Sequence, residues 1–320
     1  MPALGSVWFF GDARTPTTDA IAAAVEVARR NDAVLTVLGA TGRAEDRVFR
    51  STGGARVLEA VRKDLEVWVH AQAEAARRVL PADRVRAVVL EGEVPWHSVA
   101  AHAGTERPDL LVVAARGGPE GGFDSMSQHL FRKCAVPVWA VRPDGAPFPR
   151  IALAAVDPGE PGTEKRDLAR RVLELATRIA GGGPLELHVG HAWKLHGEHL
   201  FQRELGPEGA QLFSNQVRDQ ARRGMDELLA ETGLSGVAQV HLPNGDPAAA
   251  MPSLAEQVGA DVVLLGSAGR TGLAGFFIGG TAEAIIERLT RSVVVLKPTS
   301  FVSPVRLSKG ERTIPVGAPG

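Results

Sequence analysis

The chain has 320 residues, of which 44% are hydrophobic and 23% charged; 36 basic against 37 acidic side chains leave a net charge of −1. That balance excludes a polybasic binder of nucleic acid or anionic membrane, and the length favours about two domains over one. A single cysteine, Cys134, excludes an internal disulfide and any multi-cysteine metal site. In chain order, Val7–Phe10 reads as a short strand ending at Gly11-Asp12. Thr17 or Thr18 caps a helix through Ile21–Ala28. Ala33–Leu38 is a continuous apolar strand, the pattern of a strand covered on both faces. Val57 to Leu80 carries apolar residues at helical spacing, and Val85–Leu90 is a third strand. A turn from Glu91 to Trp96 enters a short helix, His97–Ala103, followed by a fourth strand at Asp109–Val113. A glycine loop (Gly117, Gly118, Gly121, Gly122) leads to a helix at Ser127–Lys133, whose end carries Cys134 as a buried structural thiol. Val136–Val141 is a fifth strand, and Pro137 argues for an edge position or the strand's first turn. Asp144–Pro149 reads as a linker.

The second half repeats the first. Ile151–Val156 is a strand ending at Asp157, as the first strand ends at Asp12. Lys165–Ala180 is a helix with Leu168, Val172, Leu175 and Ile179 on one stripe. Leu185–Val189 is a strand, Ala210–Leu229 a helix and Val237–Leu242 a third strand. Asn244 to Pro247 matches Glu91 to Pro95, Asp261–Leu265 matches Asp109–Val113, and Ser292–Pro298 matches Ala135–Pro143. The paired features keep a spacing of about 150 residues, and a repeat of that length means two copies of one domain. Strands alternating with helices mean βαβ units and a parallel sheet.

The organising stretch is Gly266 to Glu283, a loop between the strand Asp261–Leu265 and a helix over Thr281–Leu289. Gly266, Gly269 and Gly279 mark a place where backbone comes close to something or takes positive φ. Amides of such a loop, with the N-terminus of the next helix, suit an anion, whereas a plain strand-to-helix turn is the competing reading. The first half has Ala114-Ala115-Arg116-Gly117 where the second has Gly266-Ser267-Ala268-Gly269, and Asp124-Ser125 in place of Gly279-Gly280. An acidic residue there repels phosphate, so anion binding is expected of the second half.

These residues resemble the universal stress protein family in its tandem, two-domain (E-type) form, over about residues 5 to 300. The marks are Asp157 after the strand, His188-Val189, Gly245 to Pro247, the spacing Gly266-x2-Gly269-x9-Gly279 and the closing Val293–Pro298. The resemblance implies an α/β fold: two tandem, doubly wound, five-stranded parallel-sheet domains of the adenine nucleotide alpha hydrolase-like kind. The domains are expected at 1–145 and 150–300, packed through Val136–Val141 against Val293–Leu296 as an intramolecular pseudo-dimer, with a tail at 301–320. It further implies an adenine nucleotide such as ATP, with Mg2+ left open. Asp157 and Val189 would meet the adenosine, and Gly266, Gly269, Gly279 and position 280 the phosphates. The family places Ser or Thr at that last position; this chain has Gly280. Loss of a hydrogen bond to a charged group costs about 1.5–3 kcal/mol, roughly 10- to 100-fold in affinity, and Thr281 is the nearest substitute.

Asp157 also reads as a turn or helix-capping residue, and Asp12 reads so in the first half. Ser267 and Arg270 lie in the loop within reach of phosphate, and Glu283 suits the first helical turn. His188 and His191, three apart at a strand end, point to opposite faces, so with His196 and His199 they do not read as a metal site. No nucleophile elbow, Walker lysine or paired carboxylates are present, and Lys165 lies far from the loop in sequence, so no catalytic residue is assigned. A binding and regulatory role is expected. The alternatives are a carrier of a lipid-like apolar molecule, from Phe276-Phe277-Ile278 in the loop, and a slow nucleotide hydrolase or transferase. Met1 to Gly5 lacks a basic segment and a long apolar run, and no run reaches the roughly 20 residues of a membrane span. A cytoplasmic protein without nucleic-acid partners is expected, with a homodimer of tandem chains left open.

Overall fold

The structure, a computed structural model, describes residues 3–12, 15, 17–42, 55–92, 94–116, 122–143, 148–268, 279–308 and 311–317. The apolar runs of the sequence become strands buried on both faces. In the first half these are β1 (Ser6–Phe10), β2 (Val34–Gly42), β3 (Val85–Gly92), β4 (Leu110–Ala114) and β5 (Val138–Val141). The second half supplies β6 (Ile151–Ala155), β7 (Glu186–Gly190), β8 (Gln239–His241), β9 (Val262–Gly266) and β10 (Ser292–Leu296). A final strand, β11 (Arg312–Pro315), comes from the C-terminal tail. The helices between them are α1 (Thr18–Asn31), α2 (Ala55–Arg77), α3 (Pro95–Glu106), α4 (Ser125–Lys133), α5 (Glu164–Ala180), α6 (Glu198–Thr232), α7 (Pro247–Gln257) and α8 (Gly280–Ile286).

Among the described residues eleven strands join one sheet in the order β11-β3-β2-β1-β4-β5-β10-β9-β6-β7-β8. Within each half the five strands are parallel, and the order reverses between β1 and β4 and again between β6 and β9. The halves meet where β5 and β10 pair antiparallel, with Trp139 opposite Val294. The expected packing through the last strands is therefore a continuous backbone ladder. Antiparallel pairing also sends the C-terminal strand ends of the two halves in opposite directions.

Each face of the sheet carries one core, and both cores run across the seam. One face gathers Phe9, Val27 and Trp139 with Val172, Leu173 and Val294; the other gathers Phe10, Leu130 and Phe131 with Leu265, Ile285 and Val293. Polar bonds reinforce the crossing. Asn31 Nδ2 donates to the Arg178 carbonyl at 2.9 Å and Arg178 pairs with Asp109 at 3.1 Å on the first face. On the other, Arg132 pairs with Glu283, and Arg142 donates to the Leu289 carbonyl at 2.8 Å.

Several expectations change. Pro137 precedes β5, which is central and not an edge; its carbonyl accepts from Leu111 N at 2.9 Å, so the strand keeps its ladder without needing the proline's missing donor. The helix expected from Ala210 begins at Glu198, because Gly206 (φ 72°) breaks the helical path and Pro207 opens a second piece beyond it. The third strand of the second half shrinks to Gln239–His241 on the sheet edge. The described part of the tail packs on the first half: β11 pairs antiparallel with β3, and Ser303 donates to the Lys133 carbonyl at 2.7 Å. Of the linker, 144–147 lies outside the described residues.

Candidate functional site

Open α/β sheets bind ligands in the crevice beyond the strand C-termini where strand order reverses. In the second half that point lies between β6 and β9, and a cavity of about 860 Å3 opens there. Val156 and Asp157 follow β6 into it, and His191 and Ala192 follow β7. Gly266 and Ala268 enter from β9, and Gly279, Gly280 and Thr281 from the start of α8. Leu168 and Val172 of α5, Met251 of α7 and Ile285 of α8 make the remaining wall apolar.

Among the described residues the polar groups are few. Asp157 Oδ2 pairs with Lys165 Nζ at 3.1 Å, and Oδ1 accepts from Gly159 N at 3.1 Å. The two side chains are 52% and 67% exposed, so this pair is weak and exchangeable. His191 Nδ1 lies 3.1 Å from the Val156 carbonyl, to which it must donate, leaving Nε2 as the acceptor of the neutral ring. On the same half, Gly245 (φ 134°) and Asp246 set up α7: Asp246 caps it by accepting from Ala248 N at 2.7 Å, and Pro247 opens its first turn and lines the cavity. That sequence mark thus has a local structural cause.

The loop glycines differ in what they permit. A Cβ on Gly266 would stand 2.6 Å from the Leu168 side chain, and one on Gly279 would stand 2.7 Å from the Ala268 carbonyl oxygen. Both are sites of close approach, and neither has positive φ among the described residues. A Cβ on Gly280 meets nothing within 4 Å.

The corresponding place in the first half is filled by the chain itself. Asp124 caps α4 by accepting from Ser127 N at 2.9 Å, and its other oxygen accepts from Arg116 N at 2.6 Å. Arg116 in turn donates to Thr15 Oγ1 at 2.7 Å and lies 4.0 Å from Asp12. A built-in carboxylate occupies the amides that Gly279 leaves uncapped by any side chain in α8.

Of the residues singled out in the sequence, Asp157, Gly266, Gly279, Gly280 and Thr281 line the cavity together. Ser267 lies fully buried just behind it, accepting from Lys297 Nζ at 3.0 Å and Gly279 N at 3.4 Å. Val189 is not brought to the cavity by its side chain, because β7 turns it into the core under α5 and α6; the chain reaches the cavity at His191 and Ala192 instead. Gly269, Arg270 and Phe276-Phe277-Ile278 lie outside the described residues. His188 faces His241, with Nδ1 2.8 Å from its Nε2, and is separate from His191. Among the described residues no group of three or more His, Cys, Asp and Glu could hold a metal ion, and no helix is long and apolar enough to cross a membrane.

The sequence reading set Lys165 aside as distant from the loop, weighed His191 only as a metal ligand and gave Lys297 no role, whereas Lys165 and His191 line the cavity and Lys297 bonds to Ser267 behind it. Lys165 had one signal: in a βα unit the first turn of the helix returns beside the end of its strand, which brings position 165 back to 157.

The model of the universal stress protein family matches residues 12–142 and again 150–297. The chain is 31% identical over 256 residues to universal stress protein E of Escherichia coli (strain K12), covering 76% of this chain and 77% of that protein. A functionally unknown protein from Pseudomonas aeruginosa shares the fold at a TM-score of 0.66 and 23% identity, covering 93% of this chain and 94% of its own. A universal stress protein from Archaeoglobus fulgidus does so at 0.57 and 19%, covering 91% and 98%.

Proposed function

The chain belongs to the universal stress protein family, and from that premise we propose that it is a stress-response binding protein whose second half takes an adenine nucleotide in the cavity between β6 and β9. The two family matches support reading 1–145 and 150–300 as its domains, with 301–320 as a tail. The observation that carries the ligand reading is the contrast between the halves: Asp124 fills the phosphate position in the first, while Gly279 and Gly280 leave it to a ligand in the second. Asp157, released from Lys165, meets the adenosine; Lys165 is then free to face the phosphates. Binding rather than turnover is the proposed role.

The test is calorimetric titration with ATP, with and without Mg2+, on the wild type and on Gly280→Ser. The substitution has room at its Cβ and returns the hydroxyl that the family resemblance places there. Binding about 10- to 100-fold tighter in the variant is expected. No heat up to millimolar ATP in either protein would overturn the nucleotide reading.

A second reading has its own observation, the apolar wall of Leu168, Val172, Met251 and Ile285. It assigns the cavity to a lipid-like molecule. Solvent extraction and mass spectrometry of the purified protein test it, and an extract without a stoichiometric apolar compound counts against it.

A further inference from the structure

Lys297 directly follows β10 and is 3% exposed. An ammonium removed from water needs compensation, and its Nζ donates to the Ser267 hydroxyl at 3.0 Å. The same hydroxyl accepts from Gly279 N at 3.4 Å. With both lone pairs taken, the Ser267 hydrogen is the bond the group has left to give. Gly266 and Ala268, on either side of Ser267, and Gly279 all line the cavity.

The charged and titratable groups around Lys297 come from α4, α5 and α8. Arg132 and Cys134 reach it from the end of α4, and Glu283 from α8. Among the described residues Glu283 is the carboxylate acting on Lys297, and Arg132 already holds it in an ion pair. The Cys134 thiol is fully buried and burial pushes it up to about 11, so it is neutral near pH 7. Arg171 of α5 donates to the Lys297 carbonyl at 2.7 Å and brings no negative charge. The ammonium, which also lies 5.2 Å from the centre of the Phe301 ring, is therefore buried beside the glycine side of the cavity without an anion committed to it among the described residues.

We propose that Lys297 is the cationic partner of a phosphate group bound at Gly266, Gly279 and Gly280, acting through the Ser267 hydroxyl, and that this binding loads a proton onto Lys297. The inference rests on the nucleotide reading above. When Lys297 is charged it donates to Ser267, whose hydrogen is released for a phosphate oxygen. When Lys297 is neutral it takes that hydrogen itself, and the donor is lost. Burial pulls Lys297 down to about 8, so both states are populated near that pH. A bound phosphate favours the charged state, and by reciprocity the charged state binds phosphate more tightly.

The experiment measures wild-type binding of ATP by calorimetry in two buffers of different ionisation heat. Proton uptake of about one tenth is expected at about pH 7 and about three quarters at about pH 8.5. ATP adds nothing of its own at the higher pH, because its phosphates are already ionised. Affinity falls about tenfold between about pH 7 and pH 9. Lys297→Met removes the uptake and weakens binding about tenfold or more at about pH 7; Lys297→Arg keeps binding and loses the pH dependence. Wild-type binding with no uptake and a flat pH profile would overturn the role of Lys297 while leaving the nucleotide reading in place. Absence of wild-type binding would remove the nucleotide reading, and this inference with it. The wild-type profile alone decides the matter if a variant fails to fold.

Discussion

Two buried residues, Lys297 and Cys134, write opposite pH dependences into the folded state. Burial lowers Lys297 from 10.5 to about 8, so between those values the unfolded chain holds a proton that the folded chain has lost. Stability therefore rises with pH across that window, by about 3 kcal/mol in full. Burial raises Cys134 from 9.0 to about 11, so there the folded chain keeps a proton that the unfolded chain loses, and stability falls. The wild type is expected to gain stability from pH 8 to 9 and then to level as the two effects offset. In Lys297→Met the gain disappears and only the fall above pH 9 remains, read as urea midpoints across this range. Parallel curves for the two proteins would show that Lys297 titrates normally. Neither window could be read from the sequence, where Lys297 is one residue of a Lys-Pro strand end; its surroundings draw on both halves, with Ser267 and Glu283 from its own and Arg132 and Cys134 from the other. Asp157 and the glycines were legible because their position after a strand fixes them at the crevice. The cause of Gly266 was not: it accommodates the side chain of Leu168 on α5, a helix far back in the chain.

At the scale of elements, the same strand–loop–helix unit closes in two ways. In α4 the carboxylate of Asp124 takes one amide of the helix and one of Arg116. In α8 the N-cap is Gly279, the helix runs only from Gly280 to Ile286, and Arg132 of the other half anchors it through Glu283. Asp124→Ala removes the cap of α4 and leaves the Arg116 amide without that partner. A loss of about 1–2 kcal/mol in chemical denaturation is expected, with Asp124→Asn recovering much of it because Asn caps nearly as well. A loss within error for Asp124→Ala would mean that the loop supplies another acceptor. Element periodicity was readable where stripes were long, as in α5, with Leu168, Val172, Leu175 and Ile179 all buried. It failed at the start of α6, where a first helical piece from Glu198 joins the second across Gly206-Pro207. It failed again at β11, whose residues Arg312–Pro315 are mostly exposed and owe their strand to β3, a partner far back in the chain.

At the scale of the molecule, the repeat in the sequence suggests two independent domains, and the sheet argues for one cooperative unit. Both cores contain residues of both halves, and the seam Trp139–Val294 lies under helices on each face. Separating the halves would expose Trp139, Val293 and Val294, each at most 2% exposed, and leave the ladders of β5 and β10 open. The tail adds a second tie: after β10 it crosses α4 through Ser303 and ends on β3, where His97 Nδ1 lies 3.1 Å from Glu311 Oε1. Unfolding either half alone thus strips apolar surface from the other at the seam. Chains of this length commonly unfold in steps, so the expectation is specific. Calorimetric melting should give one transition, with an enthalpy of about 220 kcal/mol near 60 °C and a van't Hoff value equal to it. Saturating ATP, if it binds only the second half, should then raise the whole transition rather than split it, because ligand free energy given to one half is shared through the seam. Two resolved transitions, or a van't Hoff enthalpy about half the calorimetric one, would show instead that the seam is weaker than either half and that the two repeats melt as separate domains.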